Sequence, residues 1–154
     1  MTRHLLIVAH APSPNTRRLR EAAERGARHP DLEAVEVTVK PPLEAGPDDL
    51  RACDGVLLGT TENLGYMSGA LKDFFDRSYY AVLEEKQGLP CALYIRAGHD
   101  GTGTRRAVAS IVSGLRWRWV QEPLVLRGEW QDAFEAQAEE LGLYLAAGLD
   151  GGIL

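Results

Sequence analysis

Cysteine is scarce in this chain. Only Cys53 and Cys91 occur in 154 residues, each beside the start of an apolar, strand-like run. Two thiols so placed exclude a disulfide scaffold and read as buried, reduced side chains. Runs of one charge are lacking as well: no basic run exceeds two residues and the formal net charge is −5. Neither nucleic acid nor an anionic membrane is therefore an expected partner. No apolar stretch approaches the length of a membrane span. Met1-Thr2-Arg3-His4 leads straight into a short apolar run with no small-residue cleavage site. That reads as a strand and not a signal peptide, so the expected location is cytoplasmic, without membrane insertion. Repeats, low-complexity tracts and linkers are also missing, and residues 1–154 are expected to form one domain.

What is present is an alternation of strands and helices in a chain that is 45% hydrophobic and 25% charged, a globular composition. Leu5-Leu6-Ile7-Val8-Ala9, Val56-Leu57-Leu58-Gly59-Thr60 and Cys91-Ala92-Leu93-Tyr94-Ile95 are apolar runs suited to strands buried on both faces. Val35-Glu36-Val37-Thr38-Val39-Lys40 instead alternates, so one of its faces is less covered. A fifth strand around Val120 to Leu126 contains Pro123, which donates no ladder hydrogen bond and belongs at an edge. With strands two and five outermost, the fold class is α/β. The chain is read as a three-layer, doubly wound, five-stranded parallel sheet of order 2-1-3-4-5.

Helices are expected from near Thr16 to Ala27, from Pro47, from near Ser68 toward Gly88, from about Thr104, and from about Trp130 to Ala147. Their apolar faces, including Leu71, Phe74 and Phe75 in the third, are read as core. The extension of that helix, Ser78-Tyr79-Tyr80-Ala81-Val82-Leu83, carries enough apolar surface to suggest a contact in a homodimer.

Ligands of such sheets bind outside the carboxyl ends of the strands, where strand order reverses. Here that crevice lies between strands one and three. Residues 10–16, His10-Ala11-Pro12-Ser13-Pro14-Asn15-Thr16, gather two hydroxyls and an amide where a buried strand passes into a helix. A helix start favours an anion such as phosphate; the same side chains also suit plain helix capping. Residues 60–68 form an expected long loop, Thr60-Thr61-Glu62-Asn63-Leu64-Gly65-Tyr66-Met67-Ser68. Its mixture of apolar, aromatic and amide groups suits a planar heteroaromatic ring, or an ordinary polar loop with Ser68 as a cap. Gly98-His99-Asp100-Gly101-Thr102-Gly103 would close the far side. His10 and His99 alone do not make a metal site.

Two segments, LLIVAHAPSPNTRRL and CDGVLLGTTENLGYMSGALKDFFDR, resemble the flavodoxin-like superfamily, especially its NAD(P)H-dependent FMN reductase and flavodoxin-family oxidoreductase branch. The resemblance implies that Ser13, Asn15 and Thr16 hold the FMN phosphate. It also implies that Thr61, Glu62, Asn63, Leu64, Gly65 and Tyr66 contact the isoalloxazine ring, largely through backbone. Gly98, His99 and Gly101 would approach the other edge of the ring. The chain departs from the pattern at Pro14, where flavodoxins carry glycine, and at Ala11, where they carry a hydroxyl residue. Related reductases often have proline at the Thr61 position. Pro14 has no N–H to offer, so the loop has one donor fewer.

The expected function is an FMN-dependent oxidoreductase that takes hydride from NAD(P)H and reduces a small electron acceptor such as a quinone or free flavin. The alternatives are a flavodoxin-type electron carrier and a flavin-free interaction domain of the same fold. Residues 98–103 contain His99 but no Tyr or Trp, which would leave one flavin face open to a nicotinamide. Arg105 and Arg106 suit either the phosphates of that cofactor or a solvated helix start. GTGTRR lacks the third glycine of a dinucleotide fingerprint and does not follow the first strand. Cys91 lacks the anion loop and spacing of a cysteine phosphatase. A receiver domain would need acidic residues where His10 and Ala11 stand.

Overall fold

The computed structural model describes all of residues 1–154. Its chain order is β1 (Arg3–Ala9), α1 (Pro14–Ala27), β2 (Val35–Lys40), α2 (Pro47–Ala52), β3 (Gly55–Asn63) and β4 (Tyr66–Met67). There follow α3 (Gly69–Val82), β5 (Pro90–Ala97), α4 (Thr102–Leu115), β6 (Arg118–Trp119), β7 (Leu124–Arg127) and α5 (Ala133–Asp150). The sheet order is β2-β1-β3-β5-β6, with β7 also pairing β5, and all of these pairings are parallel. Counting β6 and β7 as one interrupted edge strand gives the expected order 2-1-3-4-5. The reversal lies between β1 and β3, where Ala9 stands opposite Gly59.

Period-two alternation sorts the buried strands onto two cores. Leu5, Ile7, Ala9, Leu57 and Tyr94 join Leu19 and Ala23 of α1 and Leu141 and Leu145 of α5. Leu6, Val8, Val56, Leu58, Leu93 and Ile95 join Leu50 of α2, Leu71 and Phe75 of α3 and Val108 and Val112 of α4. In β2 the side chains of Glu36 and Thr38 are exposed while Val35, Val37 and Val39 are half-buried, as an edge strand requires. Glycine lets α1 and α5 touch backbone to backbone. A Cβ on Gly26 would overlap the Glu139 carbonyl oxygen, and one on Gly142 the Ala23 carbonyl oxygen. No helix is long and apolar enough to cross a membrane.

Five local expectations are corrected. The fifth strand is not continuous from Val120 to Leu126: after the Val120 N–H donates to the Cys91 carbonyl the chain leaves the ladder, and Pro123, which has no N–H, ends the break. The region 60–68 is not a simple loop, because β3 runs on to Asn63 and turns back into β4. The turn is Leu64-Gly65, with φ of 54° and 74°, the handedness that suits a hairpin's twist. Helix α1 starts at Pro14 and not near Thr16, because Ser13 is the cap and proline is favoured at the first helical position. Helix α4 starts at Thr102 and α5 at Ala133, a shift of two or three residues in each case.

Candidate functional site

The three expected loops leave the carboxyl ends of β1, β3 and β5, and the second and third are bonded to each other directly. The first leaves β1 at half-buried His10, whose backbone N–H donates to the Gly59 carbonyl at 3.0 Å. Burial lowers the pKa of its imidazole. Ser13 then caps α1 in a reciprocal arrangement. Its Oγ accepts the Thr16 N–H at 3.2 Å, and Thr16 Oγ1 accepts the Ser13 N–H at 2.9 Å. The two hydroxyl oxygens lie 2.8 Å apart. The capping arrangement is therefore fully formed. What remains outward is Asn15, exposed, whose side chain and backbone N–H make no hydrogen bond within the chain, and the equally unused N–H of Ala11.

The second loop is held at its base by two buried hydroxyls. Thr60 Oγ1 accepts the Ser68 N–H at 3.0 Å and lies 3.2 Å from Ser68 Oγ. Ser68 Oγ in turn accepts the Leu71 N–H at 3.1 Å as the cap of α3. Beyond this base the hairpin projects into solvent. Thr61 Oγ1 donates to Asn63 Oδ1 at 2.8 Å. Leu64 at the tip is fully exposed, at 106%, and Tyr66 is exposed at 41%. Leu64 has a positive φ of 54°, a backbone conformation uncommon for a residue with a branched apolar side chain.

Glu62 does not present its carboxylate to the crevice as a free group. Oε1 accepts the His99 N–H and Oε2 the Gly101 N–H, each at 2.9 Å. The third loop is thereby tied to the hairpin. Two further contacts close the same seam: Thr104 Oγ1 donates to the Tyr66 carbonyl at 2.9 Å, and a Cβ on Gly103 would overlap the Gly65 carbonyl oxygen. Gly101 adopts φ 72° as the residue before α4, and a Cβ there would stand 2.7 Å from Val125, so this position requires glycine. Asp100 is exposed, and its carboxyl pKa is lowered because it accepts the Thr102 N–H.

All twelve expected site residues thus lie on these three loops. Ser13 and Thr16 cap a helix, Glu62 braces the third loop, and Asn15, Asn63, Leu64, Gly65, Tyr66, Gly98 and His99 are solvent-facing. Sequence reasoning missed Thr60, Gly103 and Thr104, whose partners lie eight or more residues away. Larger surface depressions, of about 420 and 430 Å3, flank the break in the edge strand and touch none of these residues. In α3, Ser78 and Val82 are buried, Tyr79 and Leu83 half-buried, and Tyr80 and Ala81 exposed.

No protein-family model matches the chain. A flavodoxin from Aquifex aeolicus (strain VF5) is 31% identical over 111 residues, which is 72% of this chain. The chain spans 59% of that relative's length. Among solved structures, a flavodoxin from the domain Archaea superposes with a TM-score of 0.78 at 20% identity, covering 95% of this chain and 98% of that one. A WrbA-like flavodoxin from Agrobacterium tumefaciens gives 0.76 at 16% identity, covering 99% and 100%. An oxidoreductase from Corynebacterium diphtheriae gives 0.70 at 18%, covering 99% and 97%. The chain has the flavodoxin-like fold.

Proposed function

We propose that this protein is an FMN-dependent oxidoreductase that accepts hydride from NAD(P)H and delivers electrons to a small acceptor such as a quinone or free flavin. One observation carries the reading. At the strand-order reversal, a helix start with unused donors shares the carboxyl edge of the sheet with a braced pair of loops that expose Leu64 and Tyr66.

The donor set fits a phosphate monoester: the Ala11 and Asn15 N–H groups and the Asn15 amide are unengaged, and α1 directs its positive end toward them. The ring side fits too. A Cβ on Gly65 or Gly98 would meet nothing within 4 Å, so a flat ring has open backbone on which to lie. FMN would supply the redox chemistry; the chain's residues would hold its phosphate, fix the plane of its ring and leave one face reachable. That face is open because residues 98–103 place only the exposed His99 ring beside it.

The relative named flavodoxin favours a second reading, an electron carrier with bound FMN and no reaction with nicotinamide. Titration with FMN followed by anaerobic addition of NADH or NADPH separates the readings. Rapid bleaching of the bound flavin by either donor is expected. Bound flavin that neither donor bleaches would establish the carrier, and no binding of FMN would overturn both readings. The proposal places a contact between copies on the exposed Tyr80–Ala81 face of α3, which sedimentation velocity tests.

A further inference from the structure

We propose that Glu62 is a positioning residue: its carboxylate locks the loop 98–101 to the β3–β4 hairpin and so pre-forms the slot for the flavin ring. The inference rests on the FMN reading and adds a role for a side chain that the ring does not need to touch. Both carboxylate oxygens are committed, one to the His99 N–H and one to the Gly101 N–H, at 2.9 Å each. No Lys, Arg or His side chain comes within 4.0 Å of the Glu62 carboxylate to form an ion pair. The charge is answered by two backbone N–H groups two residues apart, so the bonds are charge-assisted.

A long side chain in water loses rotamer freedom when it is held at two points, and only a bidentate acceptor makes that arrangement worthwhile. Glutamine would keep one acceptor oxygen but turn an NH2 group toward an N–H donor. Alanine would leave both N–H groups to water. The other ties across the seam, Thr104 to the Tyr66 carbonyl and the Gly103–Gly65 approach, join α4 to the hairpin's far strand. They do not hold residues 98–100. Glu62 alone bonds the His99 and Gly101 N–H groups that would border the ring's edge.

Amide exchange in the protein without flavin reads the lock directly. In E62A, exchange at His99 and Gly101 should accelerate roughly tenfold to a hundredfold, the factor for losing a hydrogen bond to a charged group. In E62Q it should accelerate less, while amides of β1 and β5 keep the wild-type rate. Titrations then read the positioning role. E62A should raise the dissociation constants of riboflavin and FMN by the same factor, roughly tenfold or more, with E62Q in between. Asn15→Asp, which sets a carboxylate beside the phosphate, should weaken FMN and leave riboflavin unchanged.

Unchanged exchange at His99 and Gly101 in E62A would overturn the lock. Accelerated exchange with unaltered riboflavin affinity would overturn the positioning role. Wild-type protein that binds neither riboflavin nor FMN would overturn the flavin reading and the positioning role together, leaving exchange to report the lock as a feature of the fold. Should E62A not fold, E62Q carries each comparison.

Discussion

Replacing Gly103 by alanine sets two opposed effects against each other. Gly103 is the second residue of α4, and alanine there gains helix propensity, worth up to about 1 kcal/mol in a helix interior and less in the first turn. Against this, the new Cβ would overlap the Gly65 carbonyl oxygen with the Gly65 carbon close behind. Backbone cannot rotate away as a side chain does, so α4 or the hairpin must move, and overpacking of this kind costs about 1–3 kcal/mol. The clash should win, leaving a net loss of about 1–2 kcal/mol and a fall in melting temperature of roughly 2–4 °C per kcal/mol. Gly69→Ala is the matched control. Gly69 opens α3, and its Cβ would meet nothing within 4 Å, so that variant should be as stable as wild type or slightly more so. Urea denaturation of the three proteins, with riboflavin titration alongside, measures both consequences, because a displaced hairpin should also bind the ring more weakly. A Gly103→Ala protein at least as stable as Gly69→Ala, with wild-type riboflavin affinity, would refute the close approach of α4 to the hairpin.

Other expectations follow from the same structure. Gly26→Ala and Gly142→Ala should each destabilise by about 1–3 kcal/mol in urea denaturation. The double variant should lose less than the sum, since one separation of α1 from α5 relieves both overlaps; full additivity would count against a shared interface. Stability should fall above pH 9. Burial pushes the thiol of Cys53 from 9.0 up to about 11 and that of Cys91 up to about 12. Between pH 9 and 11 the unfolded chain has released both protons and the folded chain neither. Each thiol therefore contributes stability that is whole below pH 9 and lost at about 1.4 kcal/mol per pH unit as pH rises. Urea midpoints measured from pH 8 to 10.5 should drop accordingly, and the Cys53→Ala/Cys91→Ala protein should show a shallower slope. Leu64→Asn should raise hairpin stability while lowering flavin affinity, because asparagine tolerates φ of 54° better than leucine but removes the exposed apolar contact. Gains in both properties would show that Leu64 does not face the ring.

Legibility in the sequence tracked the range of the interaction. The buried strands announce themselves as apolar runs, and the alternation in Val35–Lys40 together with Pro123 was enough to place both edges. Pro123 carried a second message that the sequence did not separate from the first. It ends a break between Trp119 and Leu124, and nothing local distinguishes a broken edge strand from a whole one. The hairpin escaped notice because its turn is Leu-Gly instead of Asn-Gly. A leucine at positive φ is unfavourable in isolation, and here it sits in the two-residue turn between the paired strands β3 and β4. The bonds from Glu62 to residues 37 and 39 positions away have no periodicity to betray them.

In the first loop the expected phosphate-holding residues Ser13, Asn15 and Thr16 divide into two groups: a hydrogen-bonded helix cap and an exposed amide. Ser13 and Thr16 supply a helix cap, and that cap uses the Ser13 and Thr16 N–H groups, two donors that a phosphate would otherwise claim. Pro12 and Pro14 have none to give. In the FMN reading, the donors left for a phosphate are those of Ala11 and Asn15. The other side of the crevice is braced in advance by Glu62, Thr104 and the glycine contact. Pre-organisation lowers the entropy lost on binding. In the proposed reading, affinity for the cofactor therefore shifts from its phosphate toward its ring. That distribution suits a protein that holds a flavin by the ring-binding loops while the phosphate end serves chiefly to orient it.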